Sequence, residues 1–173
     1  ACIARMDATR GDAERYRNAA KLLALAIVSD RVPMGSLLAE CADRMNDAAT
    51  RLEKPFYLAP ALFATAQAKM CDGAFDKAYE VFGAYVERDD TLADNTSVDN
   101  EFDKARTKLV RAGRIETALA ATRWSIDRPT TIEDPMAVLT LHLELARLAI
   151  QSNRLELASK TLDQAESLAR ESD

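Results

Sequence analysis

A single histidine, three cysteines, several closely spaced carboxylates and a few arginines are the residues of this chain that could carry chemistry. As a general base or nucleophile activator, His142 would need a serine, cysteine or acid within hydrogen-bond reach. Its helical neighbours, Leu139, Leu141, Leu143 and Leu145, supply mainly hydrocarbon, so it is expected to pack between helices with one polar contact. Cys2, Cys41 and Cys71 form no close pair, and their spacing matches no structural zinc site. Cys41 and Cys71 lie in alanine-rich stretches, where a reduced cysteine behaves as a small hydrophobe. The pairs Glu40 with Asp43 and Asp163 with Glu166 have helical spacing, but spacing alone does not raise a carboxyl pKa as acid catalysis requires. Acids also gather in Glu87, Asp89, Asp90, Asp94, Asp99, Glu101 and Asp103. Calcium needs roughly six to eight oxygens in fixed directions, and this spacing does not follow the helix-loop-helix calcium loop. A solvated polar loop is the expectation, with Asp99 capping the helix that follows and Glu101 and Asp103 in its first turn. No phosphate-binding glycine loop is present. The residues therefore predict no catalytic site, no metal and no cofactor, and they favour binding over catalysis.

The composition indicates which elements must position these groups. The 173 residues include 32 alanines and 20 leucines but only 13 valines and isoleucines together. Alanine and leucine lose little on entering a helix, whereas β-branched strand formers are scarce, so an all-α chain in a single domain over 1–173 is expected. The net charge of -5 and a pI near 5.0 argue against nucleic acid as a partner, because phosphate binding needs a basic face. The longest strongly apolar run, 22–28, is far shorter than the roughly 20 residues that span a bilayer, so no transmembrane helix is expected.

Apolar spacing of three and four places helices over 15–29, 36–52, 58–71, 75–87, 97–112, 115–125, 136–151 and 154–170, which pair as hairpins over about 14–52, 57–88, 98–126 and 135–170. Ser36 can cap the second helix, and either Ser97 or Asp99 can start the fifth. The aromatic set Phe75, Tyr79, Phe82 and Tyr85 fits a hairpin core better than a nucleic-acid stacking platform. Superposed, the pairs repeat every 40 residues. Gly73, Gly113 and Asn153 hold the turn, with Pro33 departing in the first pair. Ala78, Ala118 and Ala158 follow five residues later, with Leu38 in the first unit, and Ala42, Phe82, Thr122 and Leu162 follow nine later. On the first helices, Leu22, Leu62, Phe102 and His142 form one column and Ala26, Ala66, Arg106 and Ala146 another. Small residues where helices cross permit close approach, and larger neighbours fill the remaining space.

The run 72–78, Asp-Gly-Ala-Phe-Asp-Lys-Ala, followed by Phe82, resembles the turn and second helix of the tetratricopeptide-repeat family; 114–118 and 154–158 are weaker copies, and Leu25-Ala26 and Leu145-Ala146 resemble its first helix. The resemblance covers most of the chain and implies four antiparallel hairpins stacked as a right-handed solenoid. The repeat exceeds the family's usual length of about 34 residues, and the excess maps to connections, especially 89–100, either a groove lip or a plain loop. It also implies a concave face, lined by the first helices, that receives a peptide or protein segment. Facing offsets select Leu23 and Ile27, then Phe63, Gln67 and Met70, then Asn100, Asp103, Thr107 and Arg111, then Leu143, Arg147 and Gln151. The earlier units would accept an apolar anchor, and Arg111 or Arg147 a carboxylate.

Leu157, Leu162 and Leu168 leave an apolar stripe at the last helix that a homodimer or a further helix could cover, and Trp124 is a candidate interface anchor. A ligand-sensing or dimerisation domain of a larger bacterial regulator is the alternative function. Ala1-Cys2 resembles the end of a bacterial lipoprotein signal, which would make the protein lipid-anchored or periplasmic; otherwise a cytoplasmic location is expected.

Overall fold

A computed structural model describes residues 11–28, 35–53, 55–88, 97–128 and 134–171. Among them are eight helices: α1 Asp12–Val28, α2 Gly35–Leu52, α3 Pro55–Cys71, α4 Phe75–Arg88, α5 Val98–Arg111, α6 Ile115–Ile126, α7 Pro135–Gln151 and α8 Leu155–Glu171. They follow one another as hairpin-like pairs, and every predicted helix is present with ends shifted by at most a few residues. The chain forms two compact units, Ala1–Lys108 and Leu109–Asp173, divided in the last turn of α5.

The 40-residue period is visible in the backbone. Gly73, Gly113 and Asn153 have φ of 75°, 78° and 58°, the left-handed region that a β-carbon disfavours. At each turn this residue's N–H donates to the carbonyl three positions back, and the next N–H donates five back. Ala74 N reaches Lys69 O at 2.9 Å, Arg114 N reaches Leu109 O at 2.9 Å and Arg154 N reaches Ala149 O at 2.8 Å. Two otherwise orphaned carbonyls are thereby satisfied at each helix end, which closes the hairpin tightly. The expected turn at Pro33 in the first pair lies outside the described residues.

In the first unit, α1 packs on α2, α2 on α3 and α3 on α4, so the two hairpins share one core. Tyr16, Ala19, Leu23, Leu38, Cys41 and Met45 form it with a run of alanines from α2 and α3. Tyr16 meets Tyr57 edge-on at 4.9 Å. Asn46 donates across the α2–α3 contact to Thr65, whose hydroxyl donates to Ala61 O, so the polar pair crosses the interface satisfied. Of the predicted aromatic core, Phe82 is buried, and Phe75, Tyr79 and Tyr85 are half-buried. Phe82 is fully buried and meets Phe63 and Phe102 edge-on, and Phe63 also meets Tyr85. Cys41 is buried, and burial pushes its thiol pKa up, with Glu40 adding to the shift; both Cys41 and Cys71 are free thiols.

The start of α5 corrects one expectation. The Ser97 hydroxyl accepts from Asn100 N and caps the helix, while Asp99, expected as a cap, accepts from the Tyr79 hydroxyl at 3.1 Å. Ser97 immediately precedes the first helical residue, the position from which a short side chain reaches the third backbone N–H.

In the second unit, α7 packs on both α6 and α8. Ala118 and Ala158 are buried, as their column requires, and Thr122 is buried with its hydroxyl donating to Ala118 O. Leu162, in the same column as Phe82 and Thr122, is 44% exposed on α8, the last described helix.

Candidate functional site

The facing positions divide by burial. Leu23, Gln67 and Met70 belong to the interior of the first unit, with Met70 fully buried, so they present no surface to a partner. Phe63 is half-buried among Phe82 and Tyr85, and the Lys108 ammonium lies 4.2 Å from its ring centre. Burial lowers the Lys108 pKa, with Glu101 opposing the shift and Lys104 reinforcing it. Of the apolar positions expected to take an anchor in the earlier units, Leu23 and Met70 are thus interior and Phe63 is half-buried. The Ile27 side chain lies outside the described residues.

The later positions are outward. Asn100, Asp103 and Arg111 are exposed and Thr107 is half-buried on α5. Asp103 pairs with Arg106, which places a buried guanidinium in a column that otherwise holds alanine. Arg111 has no ion pair among the described residues. On α7, Leu143, Arg147 and Gln151 are all exposed.

The face around those last three is the feature that spacing alone did not single out. Met136, Leu143 and Ile150 are exposed by 63%, 49% and 55%, and they recur every seven residues, with Thr140 and Arg147 between them. Steps of four and three keep all five on one side of the helix. The opposite side, with His142, Leu145, Ala146, Leu148 and Ala149, is buried. Both ends of α7 are fixed. The Asp134 carboxylate accepts from Met136 N at 3.0 Å and Ala137 N at 3.2 Å, Pro135 opens the first turn, and Asn153 closes the last. Thr140 donates its hydroxyl to Met136 O, so the polar group within the stripe is satisfied locally.

Arg147 sits beside the stripe in a two-pronged pair with Glu144, Nε to Oε2 at 2.8 Å and Nη2 to Oε1 at 2.5 Å; this bond raises its pKa further. Two of its five N–H donors are thus engaged, which leaves three.

His142 occupies the packing position expected of it, but its Nδ1 has no hydrogen-bond partner among the described residues. Burial lowers its pKa, and Asp127 partly offsets the shift. Among the described residues no three histidine, cysteine, aspartate or glutamate side chains are placed to hold a metal, and no helix is long and apolar enough to cross a membrane. Cys2 and the acids from Asp89 to Asp94 lie outside the described residues.

No protein-family model, no curated protein and no solved structure matches the chain.

Proposed function

We propose that the protein is a non-enzymatic binding scaffold of tetratricopeptide-like hairpins, arranged as a right-handed array, and that the outer face of α7 takes an amphipathic helical segment of another protein. The observation carrying this reading is the exposed Met136, Leu143 and Ile150 stripe. Three large apolar side chains at heptad spacing on a rigid, capped helix match the seam that a partner helix covers. Partial burial of each contributes about 1 kcal/mol, enough for specificity once flanking polar contacts form. Arg147 and Arg111 supply those contacts by taking partner carboxylates, which fixes the direction of the bound segment. The 40-residue register and its three left-handed turns support the hairpin array.

A photo-crosslinking residue at Leu143 in the native full-length protein, compared with one at the exposed Glu156, tests the reading. A protein adduct formed from 143 but not from 156, and lost in Met136→Ser with Ile150→Asp at unchanged helicity, is the expected result. Equal yields from the two positions would remove α7 as the binding face.

A further inference from the structure

The second unit also contains an open cleft of about 350 Å³ on the inner side of α7, away from the exposed stripe. Its walls come from the end of α6, the buried side of α7 and the middle of α8. Ile126, Leu145 and Leu157 supply apolar surface, and Arg123 and Lys160 supply two cations. Neither cation has an ion-pair or hydrogen-bond partner among the described residues. His142, 8% exposed, also lines the cleft, and its Nδ1 is buried without a hydrogen-bond partner among the described residues.

We propose that this cavity binds a small organic monocarboxylate. Each wall specifies part of that ligand. Arg123 presents a planar fork that matches the two oxygens of a carboxylate, and Lys160 adds a second positive charge from the facing helix. Asp127 lines the same cavity, so two cations against one anion leave a single positive charge, which suits a monoanion and disfavours a dianion. His142 lines the same cleft, and its buried, unpartnered Nδ1 would gain a bond, costly to leave unmade, from a carboxylate that enters deeply enough to reach it. Thr161 adds no competing donor, because its hydroxyl already donates to Leu157 O at 2.7 Å. The volume corresponds to roughly twelve waters at about 30 Å³ each, and it admits an acid with about eight heavy atoms. Ile126, Leu145 and Leu157 would then surround a short branched hydrocarbon body. This site is independent of the outer face of α7, so either assignment can fail without the other.

Because His142 is the sole histidine, a long-range nitrogen–proton spectrum of the full chain contains one imidazole. 4-Methylpentanoate is titrated at constant pH, with 4-methylpentanamide and inorganic phosphate as comparison probes. The expected result is a saturable shift of the Nδ1 resonance with the carboxylate, weaker by at least ~10-fold with the amide or phosphate. Arg123→Gln and Lys160→Gln should each weaken carboxylate binding by ~10-fold, and both side chains are exposed enough to be replaced without disturbing the core. No saturable shift, equal binding of the amide or phosphate, or unchanged affinity in both variants would overturn the assignment.

Discussion

Replacing Gly113 with alanine perturbs the backbone alone. A β-carbon built there meets nothing within 4 Å, so the substitution brings no clash, and its cost comes from holding an alanine at φ 78°. That conformation costs an L-residue about 1–2 kcal/mol, offset by about 0.4–1 kcal/mol because alanine also restricts the unfolded chain. The second unit should therefore lose about 0.5–1.5 kcal/mol. Trp124, the only tryptophan, belongs to this unit and has the Arg128 guanidinium 5.1 Å from its ring, so its fluorescence reports the unit's unfolding. In urea the midpoint should fall by roughly 0.5–1 M at a slope of about 1–2 kcal/mol/M. Asn153 occupies the same turn position one repeat later and provides the opposite test. Asn153→Gly should be neutral or stabilising and Asn153→Ala destabilising, because glycine tolerates the left-handed region best and asparagine next. An unchanged midpoint in Gly113→Ala, or a loss in Asn153→Gly equal to that in Asn153→Ala, would refute the assignment of these turns to one repeated backbone requirement.

Three further outcomes follow from the packing. Phe82→Ala removes a fully buried ring that meets Phe63 and Phe102, and should destabilise the first unit by about 3–5 kcal/mol, measured by hydrogen exchange of α3 and α4. Asp134→Ala leaves two N-terminal donors of α7 without their acceptor and should cost about 1 kcal/mol in the Trp124-reported transition. His142 has a pKa lowered below its ordinary 6.5, so the unfolded chain binds more protons just below that pH. Stability of the second unit should accordingly decline as pH falls through 6.5 and be independent of this group above it; His142→Gln should flatten that part of the profile, and an equally steep decline in the variant would exclude His142 as its source.

The hairpin register was legible because its markers are local. Glycine or asparagine at 73, 113 and 153 and alanine at 78, 118 and 158 follow from one turn geometry and one close helix contact, and neither depends on distant residues. Exposure was less legible because it depends on which neighbour is present. Met70 and Leu143 are both selected by facing offsets, and both α3 and α7 pack on the helices before and after them, yet Met70 is fully buried and Leu143 is 49% exposed. Leu162 is likewise exposed, whereas Ala42, Phe82 and Thr122 of its column, each on a helix with a described successor, are buried. Met136 falls outside the facing offsets of the earlier repeats, and Ile150 shares its offset with the buried Met70; their heptad relation to Leu143 is present in the sequence but acquires meaning only once that side of α7 is known to be outward. His142 was correctly placed as a packing residue, while the missing partner of Nδ1 depends on three helices meeting and has no one-dimensional signature. The choice of Ser97 over Asp99 as cap turned on a two-residue difference in the start of α5.

Binding at the outer face of α7 is tested most directly with the partner segment recovered by crosslinking at Leu143. The isolated segment is added to the full-length protein carrying labelled methyl groups, and chemical shifts are followed to saturation. Met136, Leu143 and Ile150 should respond together with one dissociation constant, while the buried methyls of Met70 and Leu109 stay unchanged. Shifts confined to other surfaces, or saturable binding that survives Leu143→Asp with Ile150→Asp, would contradict the assignment.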